Sequence, residues 1–449
     1  MAKSRKELRR RRNRRSRRES YRSALLKSIS ALVDRRALDK AVPSNAKSWK
    51  PWRLMVAALL MAWHEGSSLS EKFTGTRIVM RELFPRTRLG ETYQGFIKAL
   101  LGATPELDWL SEHLRAQLPA WAGPYWRVHR WCAFAVDGSR VECPRTAANQ
   151  RELGCAGRKK TGPQLFLTTI YHLSTGLPWA YRIGPGTDSE RHHLRAMLEQ
   201  LPPASLLVAD AGFVGYDLLT SILAGRRNFL FRVGSNVTLL KNLGYGRVRD
   251  DDTVHLWPVK AAKSRQRPLT LRLIRLHDGR QPVYLLTNVL AESRLSLRQA
   301  GELYRLRWSV EVFYRSFKQT LGHRKMRSDA PDQARCELAW AVMGLWMLSV
   351  MAVRRMIRAG RDPTDLSVAA AIHVMRQAMN RAHRPRELAR ILKQLGQATK
   401  DPYVRKASKK ARDWPHKKKE KPPGSPKIRR ANRKQVQLAK ELEVAHAAG

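Results

Sequence analysis

Residues 304–318 read Tyr304-Arg305-Leu306-Arg307-Trp308-Ser309-Val310-Glu311-Val312-Phe313-Tyr314-Arg315-Ser316-Phe317-Lys318. They lie in a segment, 302–321, that holds no Pro or Gly. In it Leu303, Leu306, Val310, Phe313, Phe317 and Leu321 recur at three- and four-residue intervals. That period predicts one amphipathic helix. At about 100° per residue, Tyr304, Arg307, Glu311 and Lys318 share an arc of roughly 60° beside the apolar stripe. A carboxylate between cations, at the edge of a buried face, suits a phosphate and metal site better than a solvated surface. The plain alternative for Glu311 is an ion pair with Arg307 or Arg315 at four-residue spacing, worth roughly a few tenths of a kcal/mol.

Upstream of this helix the texture is α/β. Strands are expected at 132–141, interrupted by Asp137-Gly138-Ser139, and at 165–173 and 177–183, the latter two as a hairpin. A helix follows at 189–201 with Ser189 at its N-cap position. Then come a short apolar strand at 206–210, a helix at 214–224 and a strand at 228–233. This order predicts a mixed sheet covered by helices. Between 235 and 289 the pattern is β-rich, with strands at 237–240, 253–260, 269–276 and 283–287 and no helical period. It reads as an insertion ahead of the 302–321 helix.

Two further acids stand out. Asp137 sits inside an apolar strand and Asp210 ends one. Acids at strand ends in α/β sheets can converge with a residue on a packed helix. Three carboxylates at one point repel unless a cation neutralises them, and an all-oxygen set suits Mg²⁺ or Mn²⁺. Two such ions about 4 Å apart are an apparatus for in-line phosphoryl transfer. The structural alternatives are a turn aspartate for Asp137 and a helix N-cap for Asp210. Glu142, Asp188 and Glu190 are weaker; Asp188-Ser189-Glu190 opens a helix, where acids favour the dipole. His192 and His193 lack further ligand spacing.

The 449 residues include 86 Lys and Arg against 37 Asp and Glu, a formal charge of +49 that points to nucleic acid as the partner. The four cysteines, Cys132, Cys143, Cys155 and Cys336, show no C-x-x-C pair and read as reduced thiols of a cytoplasmic protein, nucleoid-associated when bound to DNA. No secretory signal, lipidation motif or membrane anchor is expected. The apolar run 338–353 is shorter than the roughly 20 residues a bilayer span needs and reads as a buried helix.

Tyr304-x2-Arg307-x3-Glu311-x6-Lys318 resembles the signature of the DDE transposases of the insertion-sequence-four type. The continuation 321–328, the Ala209-Asp210-Ala211-Gly212-Phe213 turn and Val136-Asp137-Gly138-Ser139 resemble that family too, so the likeness covers about 130–330. It implies a ribonuclease-H-like core with a β-rich insertion between the second Asp and the Glu. It implies Asp137, Asp210 and Glu311 as ligands of two Mg²⁺, with Mn²⁺ as substitute, and Tyr304, Arg307 and Lys318 as holders of DNA phosphates. It also implies a synaptic homodimer on terminal inverted repeats and target DNA. One feature departs from the pattern. Where hairpin-forming relatives carry a Trp in the strand before the signature helix, this chain has Tyr284, a candidate for stacking on a base or a core strand residue. His323, after the signature, is a further candidate for DNA contact.

The expected organisation is therefore a basic disordered arm at 1–23 and a helical DNA-binding region at 24–128. The core occupies 129–234 and 290–330 around the insertion 235–289. A helical region at 331–398 and a basic tail at 399–449 follow. The expected activity is DNA transposition: binding of element ends, cleavage, and transfer of 3′-hydroxyl ends to target DNA. A DNA-binding protein with lapsed catalysis and an RNA-binding factor are the alternatives.

Overall fold

The computed structural model describes residues 26–44, 46, 48–155, 162–246, 251–277, 282–380, 393–400 and 423–447. The basic arm at 1–23 lies outside them. Among the described residues, a helical stretch at 26–30 is followed by α1 (Arg35–Ala41), α2 (Pro51–Trp63), α3 (Leu69–Leu83), α4 (Tyr93–Leu101) and α5 (Thr104–Ala122). Their starts follow local chemistry. Asp34 accepts from the amides of Arg36 and Ala37, Pro51 takes the first helical position, and Ser68 and Thr92 cap α3 and α4. Asp34 thereby splits the helical stretch around residues 25–38. Pro119 lies inside α5 on its exposed side, where water can reach the carbonyl that proline leaves unpaired.

The core is one ten-stranded sheet of order β10-β6-β7-β8-β9-β5-β4-β1-β2-β3. Its strands, with the helices between them, run β1 (Ala133–Glu142), α6 (Ala147–Leu153), β2 (Gln164–His172), β3 (Leu177–Pro185), α7 (Glu190–Met197), β4 (Leu206–Ala209), α8 (Tyr216–Ala224) and β5 (Asn228–Arg232). β2 is antiparallel to both β1 and β3, whereas β4 and β5 run parallel to β1. This 3-2-1-4-5 arrangement with helices on both faces is ribonuclease-H-like. β1 is not interrupted at Asp137, because its register with β2 is continuous from Phe134↔His172 to Glu142↔Gln164.

The β-rich stretch contributes β6 (Thr238–Lys241), β7 (Thr253–Leu256), the short helix α9 (Val259–Lys263), β8 (Leu269–Leu276) and β9 (Val283–Thr287). β9 pairs with β5, so these strands continue the core sheet. The expected strand at 253–260 ends at Leu256, and α9 takes over after Pro258.

After the signature comes α12 (Pro331–Arg358), the longest helix described; α10 and α11 are given below. By length and composition it would cross a membrane, yet 89% of its most apolar window is buried within the fold. It packs along α2, and the Trp63 indole N–H donates to the Gly344 carbonyl at 2.8 Å. α13 (Val368–Asn380) follows.

Part of the basic tail joins the sheet. Residues 401–422 lie outside the description, but Lys427–Arg430 form β10, parallel to β6, and Arg433–Ala447 form α14. Ala439 and Leu442 of α14 close a second apolar cluster with Leu240, Leu243, Trp257 and Ala261. All four β10 residues are exposed. The strand therefore carries no buried alternation in its sequence and is held by backbone pairing to the β6 edge.

Candidate functional site

The parallel pair β1–β4 sets the site. Its ladder covers Ala133–Ala135 against Leu206–Val208, so β1 continues past the end of β4 with an open flank. Asp137 lies on that free stretch. Asp210 follows β4 directly and precedes a single 3-10 turn, Ala211–Phe213, without capping it by its side chain. The N-cap alternative for Asp210 is thus not realised. Asp137 accepts from the Gly138 amide at 2.9 Å.

The two sheet faces divide the helices. Thr168 points at α7, bonding His193 Nδ1 at 2.9 Å. Asp137 is directly opposite Thr169, so it points to the other face. There lies the signature segment, whose Tyr314 hydroxyl donates to the carbonyls of Asp137 (2.8 Å) and Leu167 (3.2 Å).

That segment is not one regular helix. α10 (Leu297–Leu306) starts at a capping box between Ser296 and Gln299, α11 (Trp308–Arg315) follows, and Ser316–Thr320 is a π turn. At the junction the amides of Arg307 and Val310 bond three residues back, to Tyr304 and Arg307; at the far end Leu321 bonds five back, to Ser316. The chain is overwound before Glu311 and underwound around Lys318. The apolar period does not reveal this, because every residue of the stripe stays buried or packed on the core.

The signature side chains meet the acids in a chain of contacts. Tyr304 Oη donates to Asp210 Oδ1 at 3.4 Å. Arg307 Nη2 pairs with Glu311 Oε1 at 2.8 Å, and its guanidinium lies 5.5 Å from the Tyr304 ring centre. Lys318 Nζ donates to the Arg140 carbonyl of β1 at 2.6 Å. Burial opposes the Arg307 charge, but Tyr304, Asp210 and Glu311 outweigh it and raise its pKa. Arg307 is only 8% exposed, and its Nε–H is buried without an acceptor. Burial lowers the Lys318 pKa despite nearby Glu142 and Asp137.

Burial also pushes the Asp137 carboxyl up to about 7, with the charges of Glu190 and Glu311 adding and the Gly138 amide and Arg307 opposing. Among the described residues no group of three or more His, Cys, Asp or Glu is gathered closely enough to hold a metal ion. Glu311 turns to Arg307 and Asp210 receives Tyr304. The donor chemistry nevertheless fits a hard divalent cation. The acids are all oxygen donors, and a carboxyl whose pKa is raised chiefly by burial, with like charges adding, is relieved by a cation.

The remaining candidates fall elsewhere. His323, the further candidate for DNA contact, lies inside the fold. It is buried, stacked on Phe317 at 5.0 Å, and burial drives its pKa down to about 3. The underwound turn folds it back under the signature segment, its amide bonding the Phe317 carbonyl. Tyr284 lies in β9 opposite Arg275, whose guanidinium lies over its ring at 5.9 Å. His193 is buried between Thr168 and Asp188. The four cysteines are free thiols.

Of two residues near the acids, Arg232 went unselected in the sequence and Glu190 was set aside as an acid at a helix start. Arg232, at the end of β5, hydrogen-bonds the Tyr304 hydroxyl. Glu190 opens α7 within reach of both aspartates. A charged residue closing an apolar strand was the available signal for Arg232.

Residues 131–347 match the family of the transposase DDE domain. The chain is 28% identical over 323 residues to transposase InsG of insertion sequence element IS4 from Escherichia coli (strain K12), covering 66% of this chain and 71% of that protein. The cryo-EM structure of the piggyBac transposase synaptic complex with hairpin DNA aligns with a TM-score of 0.42 at 11% identity, covering 86% of this chain and 87% of that one. The Mos1 transposase paired-end complex with the left transposon end aligns at 0.16 and 10% identity, covering 42% and 61%.

Proposed function

The chain belongs to the DDE transposases of the insertion-sequence-four type, and on that premise we propose that it binds the terminal inverted repeats of its element, cleaves there and joins the freed 3′-hydroxyls to target DNA. Asp137, Asp210 and Glu311 are the cleavage carboxylates in this reading, and they would hold two Mg²⁺, or Mn²⁺ in their place. When bound, the ions supply charge to the attacking and leaving oxygens of the phosphodiester.

The chain's own residues do the rest. Arg307 offers its unpaired Nε–H to a phosphate oxygen as a charge-assisted donor. Tyr304, drawn toward Asp210, adds a hydroxyl donor, and Lys318 adds a point charge beside β1. The sheet and the turn after β4 hold Asp137 and Asp210, whereas Glu311, now paired with Arg307, would turn to them from the signature segment. DNA binding by the helical region 24–128 and a synaptic homodimer belong to the same reading. The observation that carries it is the buried Arg307 donor without an acceptor, among Asp210, Tyr304 and Glu311 at the open flank of β1.

Purified protein, labelled end DNA and Mg²⁺ should give 3′-end nicking, lost in Asp137→Asn, Asp210→Asn and Glu311→Gln. Variants that nick like the wild type would refute the triad. Tight, salt-sensitive binding without any nicking by the wild type would favour a DNA-binding protein of lapsed catalysis.

A further inference from the structure

Glu190 is the first residue of α7, and an acid at that position is explained locally by the helix dipole. Its surroundings go beyond that. α7 lies on the face of the sheet away from Asp137, yet Glu190 comes to the same open flank by passing over Gly138. A Cβ on Gly138 would lie 2.9 Å from Glu190 Cγ and 2.6 Å from the Phe166 ring. On the other side, a Cβ on Gly212 would lie 3.6 Å from Glu190 Oε2. Glu190 thus runs between the glycine that follows Asp137 and the glycine two residues after Asp210. Neither glycine has a positive φ, so space for neighbours, not backbone strain, is what a side chain would disturb there.

The helix start is tied down in this pose. Arg191 Nε donates to the Gly212 carbonyl at 2.7 Å, joining α7 to the turn after Asp210. Arg140, beside Glu190, is held by the Gly186 carbonyl and by the Phe166 ring. Among the described residues the Glu190 carboxylate has neither a hydrogen bond nor an ion pair. Its charge acts on Asp137 and on Asp210, whereas the Glu311 charge acts on Asp137 from the opposite face. Arg140 and Arg191 offset part of this repulsion at the half-buried Glu190, and a cation between the carboxylates would relieve the rest. The Arg307 donor without an acceptor lies on the signature side of the flank, with Asp210 among the charges around it.

We propose that Glu190 is a fourth carboxylate of the cleavage centre, supplying oxygen to the divalent cation from the α7 side while Glu311 approaches from the signature side. The proposal rests on the reading of Asp137 and Asp210 as metal-holding residues. Gly138 and Gly212 are then the openings through which it reaches them.

The test uses the full-length protein and Mn²⁺ as the probe. Free Mn²⁺ is followed by its paramagnetic resonance signal, with and without uncleaved end DNA. Cleavage is titrated against Mn²⁺ in parallel, and melting and DNA binding are measured in EDTA. Glu190→Gln should bind Mn²⁺ about tenfold to a hundredfold more weakly, shift the cleavage titration to higher metal by a similar factor, and keep the wild-type DNA affinity in EDTA. Its metal-free melting temperature should equal or exceed the wild-type value, because the charge removed is a half-buried one that burial and Asp210 disfavour. If it melts lower, Glu190→Asp decides: intermediate Mn²⁺ affinity supports the proposal, and affinity equal to the glutamine variant refutes it. Wild-type Mn²⁺ affinity and titration in Glu190→Gln would overturn the inference alone, provided Asp137→Asn and Asp210→Asn still lose cleavage. If those two cleave normally, the underlying reading fails instead.

Discussion

Replacing Asp137 by Asn should change how the metal-free protein responds to pH. The Asp137 carboxyl has an ordinary value of 3.8 and is pushed up to about 7 in the fold, chiefly by burial. The fold therefore binds this proton more tightly than the unfolded chain does. The stabilisation is complete below about pH 4 and is lost as pH rises through 7. Between pH 5 and pH 8 about two pH units of that window are crossed, at roughly 1.4 kcal/mol each. Asp137 is not fully buried, and solvent screening reduces the effect to about 2 kcal/mol. The asparagine side chain has no proton to lose, and its Oδ1 can still accept from the Gly138 amide. Urea unfolding of both proteins in EDTA at pH 5 and pH 8 measures the difference. The variant should gain about 2 kcal/mol on the wild type at the higher pH, and Mg²⁺ should narrow the gap. A difference that does not move with pH would refute the argument that burial and like charge, not hydrogen bonding, govern this carboxyl.

Further outcomes are expected from the same geometry. Glu311→Gln should abolish nicking while leaving end-DNA affinity within about twofold. Arg307→Ala should reduce both, because it removes a buried donor worth roughly 1.5–3 kcal/mol and frees Glu311; band-shift and nicking assays separate the two. His323→Phe should leave DNA affinity unchanged. It should also improve stability in acid, since burial holds the histidine pKa far below 6.5 and its contribution is lost as pH falls below that value; melting at pH 5 and pH 8 checks this. Ending the chain at residue 422 removes β10 and α14, exposing the β6 edge and Leu240, Leu243 and Trp257. Leu442 alone accounts for about 1.5–3 kcal/mol of burial, so limited proteolysis should cut within residues 237–263 much faster than in the full chain.

Much of the core could be read from local pattern. β2 and β3 are strongly apolar, β4 is a four-residue apolar strand ended by Asp210, and β8 and β9 match their expected ranges. Such segments carry their own signal, because strand alternation and flanking turn residues are local properties. The 302–321 stripe likewise predicted which face of the signature segment is buried. The irregular hydrogen bonding at Arg307 and at Ser316–Thr320 was not legible, because an offset of three, four or five residues is selected by what the helix packs against. β10 was hidden for a similar reason: Lys427–Arg430 bury no side chain, and a strand held by backbone pairing alone depends on the edge it meets.

The sequence by itself determined the acids on their strands, the spacing of the cations around Glu311 and the excess of positive charge. Each follows from residue type and period. Tertiary structure alone decided that β1 outruns β4 and leaves Asp137 on an open flank, that Arg307 takes up Glu311, and that His323 is interred beneath Phe317. It also decided that Glu190, locally an ordinary acid at a helix start, passes over Gly138 toward Gly212 in the turn after Asp210. The reason is physical. Period and propensity fix which face a side chain occupies, whereas the neighbour it meets is set by sheet register and by where two strands stop pairing.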